Sequence, residues 1–277
     1  MSIKTYRPVT PAQRQKTTED YDQITTRKPL KSLVKAKKQQ AGKNNQGRIT
    51  VRHRGGGVKR HYRLMTYNLP KNLTLTVEEI EYDPNRSARI ARVKDQNGTY
   101  YYVLADTTMT KGTTFKTGDE VEVETSNRMP LSSIPVGTFV YAVELTPGKG
   151  AQMVRAAGAQ AQLMAKEDGY ATLKMPSGEV RKVLETCEAS IGTFSNLQHQ
   201  NVKIGAAWRR RRKGIRPTVR GVVMNATDHP HGGDGGRHGT GKAPRTPWGQ
   251  LTLGYRTRHN KKTNKMIVRS RHEGKRT

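Results

Sequence analysis

The stretch Ile90-Ala91-Arg92-Val93-Lys94-Asp95-Gln96-Asn97-Gly98-Thr99-Tyr100-Tyr101-Tyr102-Val103-Leu104 reads as two short strands joined at a turn. Tyr100, Tyr102 and Leu104 alternate along the second strand, and Ile90 and Val93 lie in the first. Asn97-Gly98 between two such runs predicts a hairpin, because both central residues of a tight type I′ turn need φ > 0. Upstream, Leu73, Leu75 and Val77 alternate with Thr74, Thr76 and Glu78; downstream, Val121 and Val123 close the set. Four or five short strands across residues 62–125, with no convincing helix, predict a small closed or partly closed barrel.

Ser126-Asn127-Arg128-Met129-Pro130 reads as a linker. A second set of short strands follows: Phe139, Tyr141, Val143 and Leu145; Gln162 to Ala165; Tyr170 to Met175; a turn at Pro176-Ser177-Gly178; and Val180 to Leu184. The expected architecture is mainly β, with one barrel over 61–126 and another over 127–200. Two small cores also suit a chain in which hydrophobic residues are only 32% of the total.

Outside the barrels the composition changes. Residues 1–61 carry 16 Lys/Arg against 3 Asp/Glu, residues 62–200 carry 15 against 16, and residues 201–277 carry 20 against 3. The middle is near neutral, so all of the +29 net charge sits in the two ends. A solubilising surface would mix its signs, whereas these ends repel themselves, and a polyanion is their expected environment. Residues 1–60 are read as an extended basic arm, with Arg52, Arg54 and Arg60 around the triple glycine Gly55-Gly56-Gly57. Residues 201–277 are read as a basic, Gly-rich extension.

In that extension, Arg209, Arg210, Arg211, Arg212 and Lys213 form a candidate phosphate clamp, and Arg216, Arg220, His229, His231 and Arg237 continue it. Trp248 has few local apolar partners and is a candidate for stacking on a base, as are Trp208 and Tyr255; Tyr62 is equally a core residue or a stacking one. Glycine from Gly232 to Gly241 lets the backbone approach another surface closely.

Other classes are excluded on residue chemistry. Cys187 is the only cysteine, so no intramolecular disulfide or Cys-rich metal site is expected, and a reducing compartment is. No apolar run approaches a membrane span or a signal-peptide core, so a soluble, cytoplasmic protein is expected. Gly236 to Ala243 nearly matches a phosphate-binding loop, but Ala243 replaces the Ser or Thr that would hold magnesium, and Pro244 and Pro247 follow in place of a helix. Asp228, His229, His231 and His238 lack the thiolates usual in a structural zinc site. No metal site and no cofactor are expected; any ion would be magnesium held chiefly by the phosphates of a polyanionic partner. His229 beside Asp228 has the residue types of a general base, but a base without a positioned nucleophile or oxyanion donor is not an active site, and no enzyme is expected.

Six motifs then occur in order: Glu81-Tyr82-Asp83-Pro84-Asn85-Arg86-Ser87-Ala88, Ile134-Pro135-Val136-Gly137, Pro147-Gly148-Lys149-Gly150, Arg155-Ala156-Ala157-Gly158, Arg216-Pro217-Thr218-Val219-Arg220-Gly221, and Asp228-His229-Pro230-His231-Gly232-Gly233. Together they resemble the family of the second protein of the large ribosomal subunit. The resemblance implies an OB-like barrel followed by an SH3-like barrel, with long basic irregular extensions, all bound to large-subunit rRNA. It implies a place near the peptidyl transferase centre, indirect support of tRNA binding, and contact with small-subunit rRNA at an intersubunit bridge and with neighbouring ribosomal proteins. Neither a membrane nor a homo-oligomer is expected. The family's RNA-binding arginines map onto Arg86 and Arg155; Lys149 lies in a third motif, and a role in peptide-bond formation has been proposed for the family's histidine at His229. Relatives carry a basic cluster before the strand at Leu73, where this chain has Asn68-Leu69-Pro70-Lys71 and keeps only Lys71. The Gly-Gly-Gly-Glu-Gly usual after the histidines is here Gly232-Gly233-Asp234-Gly235-Gly236. A basic DNA-compacting protein is the alternative of a different class.

Overall fold

The computed structural model describes residues 3–233, 241 and 243–273 and is built mainly from short β-strands. It has two compact units. One gathers Met1–Lys38, Lys59–Ala206 and Asn264–Thr277, the other Gln39–Val58 and Ala207–Thr263.

The first unit begins with β1 (Ile3–Thr5), a single helical turn α1 (Pro11–Arg14), β2 (Thr17–Glu19), β3 (Val34–Ala36) and β4 (His61–Arg63). β1 pairs with β2, and β3 with β4. The long strand β5 (Leu73–Glu81) and strands β6 (Ile90–Asp95), β7 (Tyr100–Leu104) and β8 (Thr114–Thr117) enclose a first core of Leu75, Val77, Ile80, Ala91, Val93, Val103 and Phe115. Strands β9 (Arg128–Pro130), β10 (Phe139–Tyr141), β11 (Ala161–Glu167), β12 (Tyr170–Lys174), β13 (Val180–Leu184) and β14 (Glu188–Ile191) enclose a second, which includes Met129, Leu131, Ile134, Val140, Leu163, Leu173 and Phe194. Withdrawing each such Leu, Ile, Val or Phe from water contributes about 1.5–3 kcal/mol. Two all-β cores in series are thus present as expected.

The strands of both cores form one sheet in the order β15-β13-β12-β11-β10-β14-β9-β8-β5-β6-β7, where β15 is Ile267–Arg269. All its pairings are antiparallel except β8 to β9, which meet in parallel at Thr117 and Arg128.

Three local readings are corrected. The hairpin at Asn97-Gly98 exists, but only Gly98 has positive φ (+87°), so the turn is not type I′. The Asp95 carboxylate accepts from the Asn97 and Thr99 amides at 2.9 and 2.8 Å, which holds a longer loop with one left-handed residue. The tight turn with two positive φ angles lies instead at Asp168 (+53°) and Gly169 (+75°), between β11 and β12. Second, Ser126 to Pro130 is no linker: all five residues are buried, and the last three form β9. Polar side chains tolerate this because each finds partners: Ser126 Oγ donates to Asp106 at 2.5 Å, Asn127 Oδ1 accepts from the Lys116 amide at 2.8 Å, and Arg128 binds two glutamates. Third, Val121 and Val123 lie outside any strand, and Val123 is exposed.

Residues 3–38 are largely irregular but fastened to the first core. The Leu30 amide donates to the Tyr102 hydroxyl at 2.8 Å, the Ile80 amide to Thr25 Oγ1 at 2.9 Å, and Arg89 reaches Glu19 at 2.9 Å. Cys187 is buried, which pushes its thiol up to about 11.

Candidate nucleic-acid interface

In the first unit three of the sequence motifs converge on one residue that sequence reasoning passed over, Tyr67. Asp83, wholly buried, caps the turn after β5 by accepting from the Asn85 amide at 2.8 Å and from Arg86 Nε at 2.5 Å. Arg86 Nη1 donates to the Tyr67 hydroxyl at 2.8 Å, and the Arg155 guanidinium stands 4.9 Å from the centre of the Tyr67 ring. The Pro147–Gly150 loop rests on the Tyr67 backbone: the Ala151 amide donates to its carbonyl at 3.0 Å, and a Cβ on Gly150, whose φ is +81°, would meet the Tyr67 carbonyl carbon at 2.8 Å. Lys149 projects from that loop, exposed.

Burial opposes the charge on Arg86, but the Tyr67 phenol and the Asp83 carboxylate outweigh it and hold the guanidinium above its ordinary value. A permanently charged, pre-aimed guanidinium suits phosphate oxygens. Lys71 stands apart, in an exposed ion pair 2.7 Å from Asp119 that raises its pKa. Arg60 lies half-buried just before β4.

In the second unit, two basic segments distant in sequence pair through their backbones. Arg54 and Ile215 form an antiparallel bridge; the Gly55 amide donates to Gly214 O at 2.9 Å, the Val58 amide to Arg212 O at 3.0 Å, and the Arg216 amide to His53 O at 3.0 Å. Glycine is required here, since a Cβ on Gly57 would lie 2.9 Å from Gly214 Cα. The helical turn α2 (Ala207–Arg212) ends at Gly214, whose φ is +84°. The crossing therefore assembles Arg52, Arg54, Arg209, Arg210, Arg211, Arg212, Lys213 and Arg216, and residues 39–58 and 201–227 contain no Asp or Glu. Arg211 is turned inward, with Nη1 3.3 Å from Gly55 O. Trp248 and Trp208 are exposed, and Arg52 and Arg212 stand 5.0 and 4.8 Å from their ring centres. In the first unit, Tyr62, whose reading was open, is partly exposed with Lys37 5.9 Å from its ring.

His229 is buried, and its ring fills the space where Gly221 would carry a Cβ. Its Nδ1 accepts from the His231 amide at 3.1 Å, and His231 Nε2 accepts from the Arg245 amide at 3.0 Å. The His229 lone pair at Nδ1 is thus engaged in holding the loop. Arg220 precedes the 3-10 turn Gly221–Val223 and is exposed. Arg237 and His238 lie outside the described residues.

A half-buried, pre-aimed Arg86 and an exposed Arg155 on a β scaffold, in a chain that also has segments concentrating cations without carboxylates, define a protein suited to a polyanion. The chain matches the model of Ribosomal Proteins L2, RNA binding N-terminal domain, over residues 30–117, and that of Ribosomal Proteins L2, C-terminal domain, over residues 124–249. It belongs to the ribosomal protein L2 family. Its two β cores fit the OB-like and SH3-like barrels of that family, and it is a structural, RNA-binding protein of the large ribosomal subunit.

Proposed function

We propose that this chain is a primary rRNA-binding protein that supports subunit association, tRNA binding and the peptidyl transferase centre. Arg86, Lys149 and Arg155 take phosphates on the barrel surface. Arg52, Arg54, Arg60, Arg209 to Lys213, Arg216, Arg220, His229, His231, Arg237 and Trp248 serve the crowded RNA around the extensions, and Lys71 contributes where Asp119 yields it. Small-subunit rRNA at an intersubunit bridge and neighbouring ribosomal proteins are the further partners. The observation that carries this reading is the crossing of residues 52–58 with 209–216, where eight cations share a scaffold without a carboxylate in either segment. Such a charge density is stable only against a polyanion.

A direct catalytic role for His229 is disfavoured by its geometry. The ring nitrogen Nδ1 already accepts a backbone hydrogen bond, and the neutral ring then carries its hydrogen on Nε2, leaving no free basic atom. Sedimentation of a lysate through a high-salt gradient tests the proposal. Co-migration of the chain with the large subunit is expected; a chain that stays at the top, or leaves with DNA, overturns it.

A further inference from the structure

We infer that the crossing of residues 52–58 with 210–216, with the two indoles its arginines touch, is a binding surface for unpaired RNA nucleotides rather than for duplex. The inference rests on the rRNA-binding reading and narrows its ligand.

Trp208 and Trp248 are the only tryptophans of the chain, and both are exposed, at 56% and 77%. Indole is a large apolar surface to leave in water, and neither ring contributes to either hydrophobic core. Each is faced by a guanidinium, Arg212 at 4.8 Å and Arg52 at 5.0 Å, which orients the ring without covering it. Those two arginines belong to the two segments that cross: Arg212 O accepts from the Val58 amide, and Arg52 lies two residues before the Arg54 to Ile215 bridge. Cations for phosphate and aromatic faces for bases therefore meet at this crossing: Trp208 is carried by α2 itself, and Trp248 is faced by Arg52. A duplex offers phosphates but keeps its base faces inside the stack. An unpaired nucleotide offers a phosphate and a free π face together, and only it engages both halves of this surface.

The chain's own tryptophans report the contact. Full-length protein is titrated with an RNA hairpin containing a multi-nucleotide bulge and with a fully paired hairpin of equal length, at one salt concentration, following indole fluorescence and affinity. The bulged RNA is expected to quench the indoles and bind more tightly, and W208A and W248A each to lower that preference roughly five- to hundred-fold, with W248F keeping most of it. Equal binding of both RNAs without quenching, or an unchanged preference in the double variant W208A/W248A, overturns the inference and leaves the rRNA-binding reading standing. Failure of the wild-type chain to bind either RNA overturns both.

Discussion

Arg128 Nη2 lies 3.1 Å from Glu144 Oε1, with only 4% and 1% of the two side chains exposed. The same guanidinium places Nε 2.9 Å from Glu188 and donates from Nη1 to the Ala142 carbonyl. Glu144 in turn accepts from the Gly150 amide at 2.9 Å. This ion pair thereby fixes the loop that carries Lys149 and seats Tyr67 between Arg86 and Arg155.

Arg128→Met leaves carboxylates in the interior without their cation, at a cost of about 3–5 kcal/mol. Urea unfolding of the isolated protein is expected to show that loss. R128M/E144Q recovers part of it, since one of the unpaired buried charges has gone.

Gly57→Val places a side chain against the Gly214 backbone, so the two basic segments separate. Hydrogen exchange at the Gly55 and Val58 amides is expected to accelerate, and RNA affinity to fall about tenfold or more because the cations lose their common scaffold. Unchanged exchange at both amides would refute this.

Gly221→Ala collides with the His229 imidazole. Exchange at the His231 and Arg245 amides is expected to rise. The double variant G221A/H229A, with room for the added methyl group, tolerates the alanine better than H229 does. H229A alone is expected to leave peptide transfer by assembled ribosomes within a few-fold of wild type; a loss of several orders of magnitude in single-turnover peptide transfer, with assembly intact, would reinstate a chemical role.

Acid is expected to loosen the β1–β2 hairpin. Burial raises the Glu19 pKa, but hydrogen bonding to His199 and the charge of Arg89 together lower it below the ordinary carboxylate value. A carboxyl depressed in the folded state adds stability above its unfolded pKa and loses it as pH falls through the folded one. Exchange protection across the β1–β2 pairing, corrected for the intrinsic pH dependence of amide exchange, should therefore hold at neutral pH and be lost only below the ordinary carboxylate range. E19Q should be loose at neutral pH and lack that acid step.

The strands were legible because period-two alternation survives in β5 and β7, and the polyanion partner was legible because all of the net charge lies outside the barrels. What the sequence hid was hidden for physical reasons. Ser126-Asn127-Arg128 looks solvent-facing until Asp106, Lys116, Glu144 and Glu188 arrive from elsewhere to satisfy it. The Asn97 turn departs from its dipeptide signal because the preceding Asp95 competes for the loop amides. Arg86 and Arg155 were both candidates, yet Tyr67 belongs to no motif, and only the tertiary fold places its ring between them. The pairing of Gly55 with Gly214 joins positions far apart in the chain, and no local pattern announces it.

The place of β15 at the rim of the sheet sets a timetable for biogenesis. β13 leaves the ribosome that makes it with one edge unpaired, and its partner Ile267–Arg269 follows roughly eighty residues later. At ordinary elongation speeds that is an interval of about 4–16 s. During it, a nascent chain already rich in β-structure offers an open seam to any other strand in reach. Arg181 and Lys182 put like charges along β13, which opposes the pairing of two copies at that seam.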